Sequence, residues 1–351
     1  MKTIQTILLS CTTAVLLLAS CIREGEITPQ QDEQAAIITL GAGSRAAGDA
    51  SGTAEDYYIN SLRILGYRTS DGTLAFNKVA LAAPGDGIYP VEKRVQVLTG
   101  NFTIILIANE HEDAALSTSL SGINPSTNNT LSYLRTLSFS HTAFDKTKDI
   151  PMVAICENIV ILEDDKLVDP TQNSGNPIAE WPVSLTRLGV RVDVKLKLTD
   201  AQMAAWQTPV ASANKVYFNN VPTKAYIFPN IDNSDAFVTA DIKFATLTTA
   251  TPAKEGDLNV FEYQRVILPE SSSPNLTEAQ ALTMKIMEDA SPRTGALVSG
   301  VGTNGYTIPR NHYLDVTATV PISGVMMTLD TTIAEWNDVN ISGELEGPIV
   351  P

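Results

Sequence analysis

Cys21 stands in the setting with the most definite chemistry. Lys2, the apolar run Ile7–Leu18 and the small residues Ala19-Ser20 precede it, the pattern of a secretory signal followed by a cleavage point. Leu18-Ala19-Ser20-Cys21 resembles a bacterial lipobox, in which the cysteine sulfur is acylated and becomes the mature N-terminus. The apolar run is shorter than the about 20 residues a transmembrane helix requires. Acyl chains instead hold a protein at a bilayer by about 0.8 kcal/mol per buried methylene. The polar segment Arg23–Gln34 that follows reads as a tether.

Other reactive residue types are sparse. With Cys11 and Cys21 in the signal, Cys156 is the remaining cysteine of the 3. It cannot form an intramolecular disulfide, and in Met152-Val153-Ala154-Ile155-Cys156 it reads as a structural thiol. His111, His141 and His312 are far apart in sequence and read as surface or hydrogen-bonded residues rather than bases. Glu163-Asp164-Asp165 and Asp232-Asn233-Ser234-Asp235 lack the ligand spacing and closing Glu of an EF-hand, so they read as solvated turns. There is no P-loop, HExxH, CxxC or GxSxG, and Gly41-Ala42-Gly43 lies in no βαβ unit. No catalytic residue, metal or cofactor is assigned, and the chain is expected not to be an enzyme.

The elements that position these residues must be sought in 351 residues, a length that suggests about two domains. Hydrophobic residues make up 44 % of them, enough for a core. The 24 Lys and Arg against 39 Asp and Glu give a net charge of −15, which argues against a nucleic acid as partner.

The pattern is mostly β. Ala36-Ile37-Ile38-Thr39-Leu40 places Ala36, Ile38 and Leu40 on one face of a short strand. The small-residue stretch Gly41–Asp49, carrying Arg45, is expected to interrupt it as a loop. Ser61–Tyr67, Leu74–Val79, Val91–Leu98, Phe102–Ala108, Pro151–Ile155 and Ile159–Leu162 follow as strands, with a helix through Ser132–Leu137. A second β block is expected to open at Trp181-Pro182-Val183-Ser184-Leu185. In it Val190–Leu198 alternates apolar and mostly charged residues, the signature of a half-buried strand. Further strands are expected at Val216–Val221, Arg265–Leu268, Met284–Met287, Tyr306–Ile308, Tyr313–Val320 and Met326–Thr331. A helical turn is expected at Thr277–Ala281 or at 199–206. Many short strands separated by turns imply β-sandwiches.

Several segments, in order, resemble the fimbrillin family, the major fimbrial subunits and related proteins of Bacteroidetes. They are the Cys21 lipobox, Ser44-Arg45-Ala46, Gly100–Asn109, Ile150-Pro151-Met152, Leu185–Val192, Val221-Pro222, Leu268-Pro269-Glu270, Arg310-Asn311-His312-Tyr313 and Trp336. One departure is Gly189, where the family usually shows Ala.

The resemblance implies an all-β chain of two tandem transthyretin-like antiparallel β-sandwiches. Residues 1–20 would be the lipoprotein signal, 21–45 a tether with a removable strand, 46–181 the first domain and 182–351 the second. It implies a precursor anchored by its lipid at the outer membrane, then cut after Arg45 by an Arg-specific protease to leave Ala46 as the new N-terminus. It further implies polymerisation with other fimbrial subunits into an extracellular fimbrium serving adhesion. Cutting at Arg45 would release the Ala36, Ile38 and Leu40 strand. The segment Asp338–Pro351, with Val339, Ile341, Leu345 and Ile349, could then fill its groove in another copy or another subunit. Other readings are a tip or anchor subunit, or a monomeric surface lipoprotein binding glycan or protein, with Trp181, Trp206 and Tyr226 as a sugar platform.

Overall fold

In Glu180–Arg187 every second side chain points inward: Trp181, Val183, Leu185 and Arg187 are buried, while Glu180, Pro182 and Ser184 are exposed. That period of two is what a sheet with one covered face requires. It recurs in Ala35–Ala42, Val91–Leu98, Val192–Leu198 and Leu314–Thr319, whereas Leu62–Tyr67 and Ile104–Ala108 are buried on both faces. The computed structural model describes residues 34–44, 58–83, 91–145, 147–202, 215–229, 242–243, 253–262, 266–271, 273–288, 291–319 and 328–335.

The first nine strands are β1 (Ala35–Ser44), β2 (Leu62–Arg68), β3 (Leu74–Leu81), β4 (Val91–Leu98), β5 (Gly100–Ala108), β6 (Ser138–Ser140), β7 (Met152–Ile161), β8 (Leu167–Val168) and β9 (Glu180–Arg187). Two short helices, α1 (Ala114–Ser121) and α2 (Leu131–Leu134), lie between β5 and β6. The remaining strands are β10 (Gly189–Leu198), β11 (Lys215–Asn219), β12 (Lys224–Tyr226), β13 (Ile242–Lys243), β14 (Ala253–Glu255), β15 (Leu258–Glu262), β16 (Val266–Pro269), β17 (Thr283–Glu288), β18 (Ser291–Ala296), β19 (His312–Thr319) and β20 (Thr328–Glu335).

A large sheet runs in the order β3-β2-β5-β7-β9-β1-β4, with β8 on β7. A second runs β14-β15-β10-β19-β20 with β16 on β10, a third β13-β11-β17-β18, and β12 pairs with β6. Most ladders among the described residues are antiparallel. Two, β1 with β9 and β10 with β19, are parallel. Parallel neighbours need a long connection, and here β2–β8 lie between β1 and β9 in the chain, and β11–β18 between β10 and β19.

Two hydrophobic cores part on either side of Gly189. The first extends from Ala36 to Leu188 and also takes Ala225, Ile227, Phe228 and Ile267. The second gathers Val190, Val192, Val194, Leu196 and Leu198 with residues of the later strands. The strand read as opening the second block therefore lies elsewhere. Trp181, Val183 and Leu185 sit in the first core, and β9 pairs with β1 and β7.

Two further expectations change. The strand at Ala36–Leu40 does not stop at Gly41 but continues to Ser44, because β9 supplies a ladder partner for Thr39–Ser44. Glycine's weak strand preference is overridden by that pairing. Pro151–Ile155 and Ile159–Leu162 are one strand, β7, bulged where Phe102 faces Ile159 and Ile104 faces Cys156. Asn158, at φ 59°, takes up the extra residue. Gly189 also acquires a reason. A Cβ there would lie 2.9 Å from Ile267 Cγ2 and 3.2 Å from Phe144 Cδ1, so the backbone packs where a methyl would crowd.

Around it, the segments at 185–192, 268–270 and 310–313 meet. Arg187 donates to Asn311 Oδ1 at 3.2 Å, and Asn311 N donates to Gly189 O at 3.0 Å. Arg310 forms an ion pair with buried Glu270 and donates to the carbonyls of Tyr226 and Ile227. The guanidinium of Arg191 lies 5.3 Å from the Tyr313 ring centroid.

Asp113 caps α1. Its Oδ1 accepts from Ala115 N and Leu116 N at 3.1 and 3.0 Å, and its Oδ2 from Ser140 N at 2.7 Å. Burial raises the pKa of this carboxyl, but the backbone N–H donors outweigh that and hold it below the usual value. A depressed folded pKa stabilises above the unfolded value near 3.9, and the benefit is lost as pH falls through the folded pKa. Asp113→Ala is therefore expected to cost about 1–2 kcal/mol at pH 7. In urea titrations its deficit against wild type should shrink toward pH 3. An equal deficit at both pH values would refute this.

Candidate functional site

β1 is the strand expected from the sequence to be removable, and its residues explain how it is seated. Ala36, Ile38, Leu40 and Ala42 alternate with Ile37, Thr39 and Gly41, and the first four are all at most 1 % exposed. On one edge β1 pairs antiparallel with β4, from Ala35 opposite Leu98 to Ala42 opposite Val91. On the other it pairs parallel with β9, from Thr39 opposite Glu180 to Ser44 opposite Leu185. Before Thr39 that second edge has no ladder to β9, and the Asp165 carboxylate accepts from Ile37 N at 2.8 Å. Asp165 reaches it from a turn in which its own φ is 58°.

The floor beneath β1 is supplied by both neighbours. Leu40 stands opposite Trp181, which is fully buried and donates from Nε1 to Asp169 Oδ2 at 2.9 Å. Val91, Val95 and Val97 of β4 face the same core. Burial of Ile38 and Leu40 alone contributes about 3–6 kcal/mol to seating the strand. β4 closes the sheet, and among the described residues β1 is its one ladder partner. Taking β1 away would leave β4 unpaired and an apolar slot between β4 and β9.

The three residues read as the inward face, Ala36, Ile38 and Leu40, are thus together on the first core. Cys21, Arg45, Ala46, Val339, Ile341, Leu345 and Ile349 lie outside the described residues, as do Trp206, Trp336 and Asp232–Asp235. Burial of Trp181 removes it from any sugar platform. Cys156 is half-buried, and desolvation together with the nearby Asp169 carboxylate pushes its thiol pKa up to about 12, so it is held as the unreactive thiol. Among the described residues no helix is long and apolar enough to cross a membrane.

Two contributors escaped the sequence reading. From sequence Asp165 reads only as part of a solvated turn, and nothing in its local pattern points at β1. Asn109 carried a signal, as the residue ending the strand at Ala108-Asn109. It is fully buried at φ 61°, donates to Tyr58 O and Ile150 O at 2.9 Å each, and accepts from Asn60 N at 2.9 Å.

Comparison with known proteins bears on this arrangement. Residues 36–187, from the second residue of β1 to the end of β9, match the family described as Major fimbrial subunit protein (FimA). No curated protein matches the chain in sequence. Among solved structures, the tip fimbrial protein Mfa3 from Porphyromonas gingivalis, with C-terminal truncation, is 14 % identical with a TM-score of 0.54. The match covers 86 % of this chain and 100 % of that one. A Bacteroides eggerthii protein assigned to cell adhesion is 15 % identical with a TM-score of 0.54, covering 87 % and 97 %. A Parabacteroides distasonis protein assigned to the same role is 15 % identical at 0.53, with the same coverage. At these identities the structures establish the fold, all-β. Residues 36–187 thus carry a match to the FimA major fimbrial subunit family, and the solved fimbrial structures share the all-β fold of the chain.

Proposed function

We propose that this protein is a structural subunit of a cell-surface fimbria whose β1 is a placeholder, later exchanged for a strand of another subunit. The observation that carries the proposal is the dependence of β4 on β1. β1 ends at Ser44, so a cut after Arg45 severs it from the body while its ladders still hold it. The severed piece would carry the tether and any lipid on Cys21 with it. Its departure exposes edge groups and an apolar slot, a configuration that takes up a strand from another chain.

The C-terminal segment suits that slot. Val339, Ile341, Leu345 and Ile349 all fall on one face at a period of two, matching the inward face of β1. Burying them would contribute about 6–12 kcal/mol before ordering costs. Donor and acceptor surfaces differ, so the contact is heterologous and propagates as an open filament. With a net charge of −15 per chain, apolar and backbone pairing must supply the attraction. The two cores read as two tandem transthyretin-like sandwiches, dividing at Gly189. The role is structural rather than catalytic: the precursor waits at the outer membrane, and the processed form stands in an adhesive fimbrium.

The chain ending at Trp336 tests the donor. After treatment with an Arg-specific protease, the full chain is expected to form multimers that resist dissociation, and the truncated chain to remain monomeric. Multimers of the truncated chain would exclude 338–351 as the donor strand.

A further inference from the structure

At one end of the large sheet, three side chains from two loops converge. His111 and Glu112 lie in a single 3-10 turn after β5, and Asp149 lies in the loop that leads to β7. His111 Nε2 is 3.2 Å from Asp149 Oδ2 and 3.5 Å from Glu112 Oε1. One ligand atom from each of the three lies within 4.8 Å of the others. We propose that His111, Glu112 and Asp149 form a zinc site that fastens the turn after β5 to the loop before β7.

The two His111 distances are compatible with ligands around a common centre. Zinc bonds His nitrogen and carboxylate oxygen at about 2.0–2.2 Å, which makes the edge of a tetrahedron about 3.3–3.6 Å. A closed charge-assisted hydrogen bond would instead draw nitrogen and oxygen to about 2.7–2.9 Å. The observed 3.5 Å falls in the first range, and 3.2 Å lies just below it, at the long end of a hydrogen bond.

Each ligand is also held from outside, as metal ligands are. Ser61 Oγ is 2.9 Å from His111 Nδ1, which leaves Nε2 facing the carboxylates. Asn60 Nδ2 donates to Asp149 Oδ2 at 2.6 Å, and Asp149 N donates to Glu112 Oε1 at 3.1 Å. Lys148 Nζ lies 3.8 Å from Glu112 Oε2, on the far side of that carboxylate, and donates to Thr142 O at 2.7 Å. It offsets part of the paired negative charge. Behind these groups, Asn109 ties Tyr58, Asn60 and Ile150 to the end of β5, so the backbone that carries the ligands is fixed beforehand.

The donor set selects the ion. The imidazole among the three ligands favours zinc over calcium, which takes 6–8 oxygens, and over magnesium, which keeps most of its waters. Three protein ligands leave a fourth position for water, and the side chains remain 16–29 % exposed, so solvent reaches them. With Cys156 the one cysteine after the lipobox, the body cannot use a disulfide as a brace. Zinc would brace it by mass action, adding stability as the logarithm of its free concentration over Kd.

The test is a zinc chloride titration of the full chain, read by calorimetry and by the thermal midpoint. Wild type is expected to bind one zinc ion at this site and to melt higher with it, with no response to calcium or magnesium. His111→Gln and Asp149→Asn should each abolish the gain. Ser61→Ala keeps all three ligands and should weaken binding about 10–100-fold. It keeps the proposal testable if either ligand variant fails to fold. A His141→Gln, His312→Gln double variant should bind as wild type does. Absence of zinc binding by wild type, or a gain that persists in His111→Gln or is unaltered in Ser61→Ala, would overturn the proposal.

Discussion

Trp181→Ala is expected to lower stability by about 4–8 kcal/mol. Truncating a fully buried indole costs about 3–5 kcal/mol in lost transfer energy and cavity. A further 1–3 kcal/mol follows from the orphaned partner, because Asp169 is 3 % exposed and loses the Nε1 donor. The other Asp169 oxygen still accepts from Thr171 N and Oγ1 at 2.8 and 2.6 Å, which keeps the carboxylate in place. Trp181→Phe retains most of the ring volume and isolates the hydrogen-bond share, so it should lose about 1–3 kcal/mol. Since Leu40 stands opposite Trp181, the Ala variant should also loosen β1. Urea midpoints at unchanged m-value measure the first effect, and hydrogen exchange of the β1 amides measures the second. A loss below about 1 kcal/mol for Trp181→Ala would mean that β9 is not fixed by this side chain.

The second large effect belongs to the buried pair of Arg63 and Glu110. Arg63 Nε and Nη2 each donate to a Glu110 oxygen at 2.7 Å, and both residues are at most 6 % exposed. Arg63 also donates to Asn77 Oδ1 at 2.8 Å and Ser121 Oγ at 3.0 Å, while Ser117 Oγ donates to Glu110 Oε1 at 3.3 Å. The pair thus links β2, β3, α1 and the turn after β5. Glu110→Ala strands a guanidinium in the core and is expected to cost about 3–5 kcal/mol. Arg63→Met combined with Glu110→Leu removes both charges, and should recover most of that loss. A double-mutant cycle with Arg63→Met and Glu110→Leu as its singles, from denaturant midpoints, gives the coupling. A double variant as unstable as the sum of the singles would show that the network, not charge pairing, dominates.

What the sequence made legible was the local alternation. β4 was read at Val91–Leu98 as it stands, β5 begins two residues before the expected Phe102, and the inward face of β10 follows its apolar positions. The inward set Ala36, Ile38 and Leu40 was equally clear, because period-two patterning reports which side is covered without reporting what covers it. Pairing across long stretches of chain was not legible. β1 runs on through Gly41 because β9 lies beside it, and no residue near Gly41 announces that neighbour. β9 was read as the start of a second block because its own pattern suits either core. Arg63 with Glu110, and His111 with Asp149, are brought together by β2, β5 and β7 lying adjacent, which spacing alone cannot supply.

The same limit applies to function. Arg45 and the spaced apolar residues 339–349 are visible as residues, whereas the slot that loss of β1 would open is seen only once β4 is found paired to it. On the proposed function, that dependence favours exchange over simple loss. A body that shed β1 without replacement would expose the Val91, Val95 and Val97 face of β4 and the slot beside Trp181.

The most direct test is the mass and N-terminal sequence of the protein recovered from the cell surface, taken from assembled fibres and from the membrane fraction. The account predicts that fibre-borne chains start at Ala46 without lipid, and that the membrane fraction holds a precursor acylated at Cys21. Fibres built of chains that still begin at Cys21 and retain β1 would contradict strand exchange.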